Sequence, residues 1–323
     1  MSDSDRFYNL PLATLLTGTV PDFPLYLAES GGTHFVLYRQ EGMTVSPEHL
    51  ECLRQHHEDK VYIRAEDRVR QQRYMVQTTQ ECLADPSRSS REKAEVVYVS
   101  AQSALKAAFG EPNAANLDTC RQLATVHVNY IVSDPCALSS LLRIVSYDYY
   151  AHTHSINVCT FTVAICLRLG MDPQRLVTIG TGALLHDIGK ICIVPSILNK
   201  PGRLNESETE IIRKHPEMGI EMLNDIGPLP PEGAEIVLNH HEKCDGTGYP
   251  KGLKRDETGV AARACCLADI YDALTTHRCY KSACRGFQAL KLMREMHGQL
   301  DEELLAVLIR LVGRLSREME QDS

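Results

Sequence analysis

The sequence predicts a mainly α chain: a helical bundle preceded by a small α/β domain. Two observations carry this. From about residue 67 onward, apolar residues recur at helical spacing and the breaks fall at capping residues. Before about residue 66 the apolar runs are short and extended, and they are separated by turn residues. The length of 323 residues suits about two domains, and the reading divides it into 1–66, a helical connecting region 67–145, and 146–323.

In the first segment, "FPLYL" and "HFVLY" are strand-like and flank Gly31-Gly32, a hairpin signal. Ser46-Pro47 opens a short helix, with serine as cap and proline in the first turn, and "KVYIRA" reads as a further strand. In the middle region, "NLDTCRQLATVHVNYIVSD" has helical periodicity. Further on, "HSINVCTFTVAICLRLG" stops at Gly170, Asp172-Pro173 opens the next helix, and Asn205 with Glu208 forms a capping box. "PEGAEIVLNHH" is a helix opened by Pro231. The stretch 242–259, "EKCDGTGYPKGLKRDETG", is polar and glycine-rich, and a loop of that length in a compact domain is usually functional. "VAARACCLADIYDALTT" returns to helix, and two amphipathic helices finish the chain.

The composition is that of a globular protein, 43% hydrophobic and 24% charged. A net charge of -8 argues against a broad nucleic-acid surface, and DNA is not expected as a partner. Twelve cysteines lie without a CxxC pair, and the N-terminus carries Asp3 and Asp5 in place of a basic leader. The expectation is a cytoplasmic chain with reduced core thiols and no membrane segment.

Seven of the thirteen histidines fall between 152 and 277. The candidate ligands are His154, His186, Asp187, His215, His240, His241 and Asp269, each placed at or near a helix end or just before a loop. Taken singly, each is better explained by a core, surface or capping role than by a metal. Imidazole and carboxylate together suit divalent transition metals, and helices of a bundle can converge such groups. The order His, His-Asp, His, His-His, Asp is what changes the odds.

That order, with "HDIGK" and "HHEKCDGTGYPKGL", resembles the HD-GYP family of the HD superfamily of metal-dependent phosphohydrolases. The similarity runs on through "HSINV", "VPSILNKPGRL", "KHPEMG" and "ADIYDALTTHRCYK", roughly residues 146 to 315. The resemblance implies an all-helical domain and a cytoplasmic, bacterial cyclic di-GMP phosphodiesterase releasing linear pGpG or GMP. It implies a first metal on His154, His186, Asp187 and Asp269. Asp187 bridges to a second on His215, His240 and His241. Family members with three metals carry a glutamate where this chain has Tyr150, so two metals are expected, iron or manganese foremost. His152 is a weaker substitute donor.

In the same resemblance Lys190 and Asp187 serve catalysis, Lys190 by stabilising phosphate charge. Gly248, Tyr249 and Pro250 shape the ligand loop, Arg278 and Lys281 contact phosphate, and Asp272 orients a ligand or Arg278. Lys243, Lys251, Lys254 and Arg255 read as solvated charges around the loop. A non-hydrolytic cyclic di-GMP receptor, or a phosphodiesterase for cyclic GMP-AMP, are the alternatives left open. Homodimerisation and a signalling partner on the N-terminal domain are further expectations; that domain carries no ligand motif.

Overall fold

The structure, a computed structural model, describes residues 7–29, 34–55, 60–145, 151–276 and 286–321. Four short strands open the chain: β1 (Phe7–Pro11), β2 (Leu25–Ala28), β3 (Phe35–Arg39) and β4 (Lys60–Arg64), with helix α1 (Pro47–Gln55) between the last two. They form one antiparallel sheet in the order β1-β4-β2-β3. β2 and β3 pair as the hairpin the sequence predicts; its turn at Gly31-Gly32 lies outside the described residues. β1 is not predicted from sequence. It is an edge strand that ends on Pro11, where a missing N–H is tolerated, and its register, Phe7 opposite Arg64, is set by a partner more than fifty residues away.

One face of the sheet buries Leu10, Leu25, Val61 and Ile63 against Leu50 and Leu53 of α1. Tyr74 of the first long helix joins this cluster and meets Phe23 edge-on, which fixes the sheet to the helical body. Each such aliphatic burial contributes about 1.5–3 kcal/mol.

The body is helical throughout: α2 (Arg68–Ala84), α3 (Ser90–Gly110), α4 (Ala114–Ser133), α5 (Ala137–Val145), α6 (Ala151–Arg168), α7 (Pro173–Leu184), α8 (Pro195–Leu198), α9 (Glu206–Arg213), α10 (His215–Ile226), α11 (Pro231–Asn239), α12 (Val260–Thr275), α13 (Gly286–Arg294) and α14 (Glu302–Gln321). The caps are those the sequence announces. Asp172 accepts from the N–H groups of Gln174 and Arg175, and Asn205 and Glu208 close a capping box. One apolar cluster extends from Met75 in α2 to Val312 in α14.

α6 is the central rod. Ile156, Val158, Cys159, Val163, Ile165 and Cys166 are fully buried, and so are Thr160 and Thr162 on its other faces. A helix buried all round needs its polar groups satisfied locally, and the Thr160 hydroxyl donates to the carbonyl of Ile156 at 2.8 Å. α12 and α7 pack on α6, α11 packs on α7, and α10 packs on the 3-10 turn Ile188–Cys192 that follows α7. The ends of α6, α7, α10 and α11 meet at one place, beside the middle of α12.

Among the described residues no two cysteines are joined. Six of the ten are buried, while Cys52, Cys136 and Cys192 are exposed rather than core thiols as expected. No helix among the described residues is long and apolar enough to cross a membrane.

Candidate metal centre

Three histidines are aimed by the same local device. An α-helix leaves its last carbonyls without an intrahelical partner. Just past α7, Nδ1 of His186 donates to the carbonyl of Ala183 at 2.8 Å. Past α9, Nδ1 of His215 donates to Ile212 at 2.8 Å, and past α11, Nδ1 of His240 donates to Val237 at 2.9 Å. A carbonyl can only accept, so in each neutral ring the proton sits on Nδ1 and Nε2 presents a bare lone pair. His154, on the first turn of α6, is held differently: its Nδ1 lies 2.7 Å from Asp272 Oδ2, while the other oxygen of Asp272 accepts from Asn157 at 2.7 Å.

The seven predicted ligand residues converge into two groups that could each hold a metal ion: His154, His186 and Asp269; and Asp187, His215, His240 and His241. Asp187 lies between them. Its Oδ1 faces His215 Nε2 at 3.3 Å and His240 Nε2 at 3.8 Å; its Oδ2 faces His186 Nε2 at 3.4 Å and His154 Nε2 at 3.8 Å. Asp269 has one oxygen 3.2 Å from His154 Nε2 and the other 3.5 Å from His241 Nδ1. Unlike the other donors, Asp269 does not sit near a helix end. It lies inside α12, where its face is set by the same helical turn that carries Asp272.

These donors fit divalent cations. Nε2 of His215 and of His240 stand 3.2 Å apart, although both rings already spend their proton on a carbonyl. Two lone pairs facing at that distance repel, and a cation between them removes the repulsion. Two nitrogens bound about 2.1 Å from one ion would lie roughly 3.0–3.4 Å apart. His186 Nε2 and Asp187 Oδ1 are buried without any hydrogen-bond partner. Orphaned buried polar atoms cost about 1–3 kcal/mol each, and coordination would satisfy them.

The electrostatics agree. Burial, with His241, His186 and His215 close by, holds the His240 imidazole neutral, and burial pushes His241 down to about 3. Burial opposes ionisation of Asp187, but Lys190 and His186 outweigh it and its carboxyl stays well below the usual range. Asp269 is held low in the same way by His154 and His241. His154 is the exception: burial favours the neutral ring, yet Asp269 and Asp272 raise it to about 10.

Around the donors, Lys190 reaches Asp187 Oδ2 at 2.5 Å from the 3-10 turn. Gly189 allows that turn to lie against α10; a Cβ there would meet the carbonyl of His215 and the backbone of Gly219. Gly248 is equally constrained, since a Cβ would stand 2.5 Å from Glu242 Cα and 2.6 Å from the carbonyl of His241. Tyr249 stacks on His241, with centroids 4.6 Å apart, and Pro250 follows it in the loop. Arg278 and Lys281 lie outside the described residues, as do Tyr150 and the side chain of His152.

Sequence reasoning missed several residues. Buried Glu242 accepts from the N–H groups of Lys251 at 2.7 Å and Leu253 at 2.9 Å, pinning the loop. Asn157 donates to Asp272, and the Arg213 guanidinium lies over the Tyr249 ring. Arg255 is exposed, as read, and pairs with Asp301 and Glu303, while Lys243 donates to Gln299. The only sequence signal for Glu242 was its place directly after His240-His241 at the start of the glycine-rich loop.

A family model described as an HD domain matches residues 136–304. A cyclic di-GMP phosphodiesterase of Pseudomonas aeruginosa is 36% identical over 183 residues, covering 57% of this chain and 44% of that protein. A 3'3'-cGAMP-specific phosphodiesterase of Vibrio cholerae is 36% identical over 173 residues, covering 53% of this chain and 37% of that protein. The chain thus spans less than half the length of these two relatives. Among solved structures, a HDG"Y"P protein from Bdellovibrio bacteriovorus superposes with a TM-score of 0.71 at 26% identity, over 95% of this chain and 99% of that one.

Proposed function

The chain belongs to the HD domain family, within its HD-GYP group, and on that premise we propose that it is a metal-dependent phosphodiesterase of cyclic dinucleotides. One observation carries the reading: the two oxygens of Asp187 face two separate donor groups, the arrangement a bridging carboxylate needs. We assign one cation, iron or manganese, to His154, His186 and Asp269, and a second to His215, His240 and His241, with Asp187 shared. When bound, such a pair neutralises a phosphodiester and acidifies a water for attack on phosphorus.

The chain's own residues do the rest. The Nδ1 bonds lock three imidazoles in the tautomer that leaves Nε2 bare, and Asp272 does the same for His154. Lys190, beside Asp187, places a positive charge where phosphate charge and the leaving ribose oxygen accumulate. The loop 242–259, pinned by Glu242, sets Gly248, Tyr249 and Pro250 at the rim as the wall for the substrate's ring. Arg278 and Lys281 are assigned to phosphate by their motif alone. Residues 1–66 are assigned to regulation or to a second copy or signalling partner, 67–145 to the connecting layer and 146–323 to catalysis, in a cytoplasmic protein.

Anaerobic purification followed by a product assay tests this. Linear pGpG or GMP from cyclic di-GMP, lost in His186→Ala, is expected. Tight binding without any product would favour a receptor, and turnover of cyclic GMP-AMP alone would move the substrate to that relative's chemistry.

A further inference from the structure

A cyclic dinucleotide carries two phosphodiesters on opposite sides of one macrocycle. The donor cage can neutralise only the one being cut, so the second must be met elsewhere. Besides Arg278 and Lys281, which only their motif assigns to phosphate, Arg213 offers a cation beside the loop tyrosine. It closes α9, two residues before His215, and is exposed. Its guanidinium carbon is 5.5 Å from the centroid of Tyr249. The same ring stacks on His241 at 4.6 Å, and His215 lies 6.4 Å from it. Tyr249 thus links exposed Arg213 to two donors of the cage.

Among the described residues Arg213 forms no ion pair with a carboxylate, although Glu210 and Glu217 stand three and four residues from it in sequence. A cation–π contact holds the guanidinium beside the ring without using its N–H donors, and a guanidinium with free donors suits bidentate phosphate binding.

We propose that Arg213 is a specificity-determining residue that holds the non-scissile phosphate of the cyclic dinucleotide at the rim of the site, an inference that rests on the phosphodiesterase reading above. Arg213 does not contact the donor cage, so it acts on substrate binding and not on the metals. The discriminating variants are Arg213→Met, which keeps an unbranched stem on the tyrosine without charge, and Arg213→Lys, which keeps the charge.

The measurement compares cyclic di-GMP with bis(p-nitrophenyl) phosphate, a diester that has no second phosphate. In Arg213→Met the ratio of kcat/KM for cyclic di-GMP over that for the small diester falls on the order of tenfold or more, carried by KM. Arg213→Lys restores part of it. A ratio equal to wild type, or a fall carried by kcat with equal loss on both substrates, overturns the inference; the latter would mean that Arg213 merely braces Tyr249. Wild-type protein that cleaves the small diester but no cyclic dinucleotide overturns the proposed function itself and the inference with it.

Discussion

Replacing Gly189 by alanine adds one methyl group to the HDIGK turn, and the structure gives its consequence. The new Cβ would lie 2.5 Å from the amide nitrogen and 2.9 Å from Cα of Gly219, and closer still to the carbonyl oxygen of His215. Unstrained carbon contacts need about 3.5–4.0 Å, so the two segments must part by roughly 1 Å. None of the opposing atoms is a side chain that could rotate away. Overpacking of this kind costs about 1–3 kcal/mol, and backbone against backbone puts the cost at the upper end. The displacement acts directly on the site, because His215 faces Asp187 Oδ1 at 3.3 Å across the same contact. A misplacement of that size costs about a hundredfold in rate. Gly313, in α14, is the control: a Cβ there meets nothing within 4 Å, so the same substitution should be neutral or stabilise by about 0.5–1 kcal/mol. Thermal unfolding, metal content and turnover would be measured on both variants. A Gly189→Ala protein with wild-type stability, metal and rate would refute the packing argument.

Lys190→Ala should keep its metal and slow turnover by about 10²–10³-fold; undiminished turnover would remove Lys190 from the chemistry. Asp272→Ala leaves His154 Nδ1 without its 2.7 Å partner and should weaken metal binding about 10–100-fold, which a chelator competition reads directly. Asp269 and Asp272 favour the protonated form of His154 in the metal-free protein, raising it to about 10, and a cation must displace that proton to reach Nε2. Metal affinity should therefore rise with pH between 6.5 and 9; an affinity independent of pH, or falling, would contradict this account of the cage. Glu242→Ala strands the two N–H groups of Lys251 and Leu253, costing about 1–3 kcal/mol for each that stays buried, and should raise KM while metal content holds. Unchanged KM and Tm would show that the loop is held by other contacts.

The helical body was legible because its punctuation is local. Asp172-Pro173 and the Asn205–Glu208 box are caps that act within one turn, and the structure uses them so. Strand β1 was not, since "FYNLP" has no flanking turn and exists only through β4. The same split runs through the site. Histidine and aspartate order can be read along the chain, while the Nδ1 carbonyl bonds that aim three rings depend on where each helix stops. Asp269 was grouped with the helix-end donors, although the helix read over "VAARACCLADIYDALTT" already carried it in its interior, where α12 places it. Glu242 and Arg213 are ordinary surface-type residues in sequence. One acquires its role from a loop folding back eleven residues later, the other from a tyrosine on a different element.

The central claim is that one carboxylate joins two donor groups into a two-cation centre. The most direct test is the metal stoichiometry of anaerobically prepared protein, wild type beside His154→Ala, His215→Ala and Asp187→Ala. The account predicts about two ions per chain in wild type, a selective loss in each histidine variant, and depletion of both ions in Asp187→Ala. A wild type that holds a single ion, or an Asp187→Ala protein that keeps two, would contradict it.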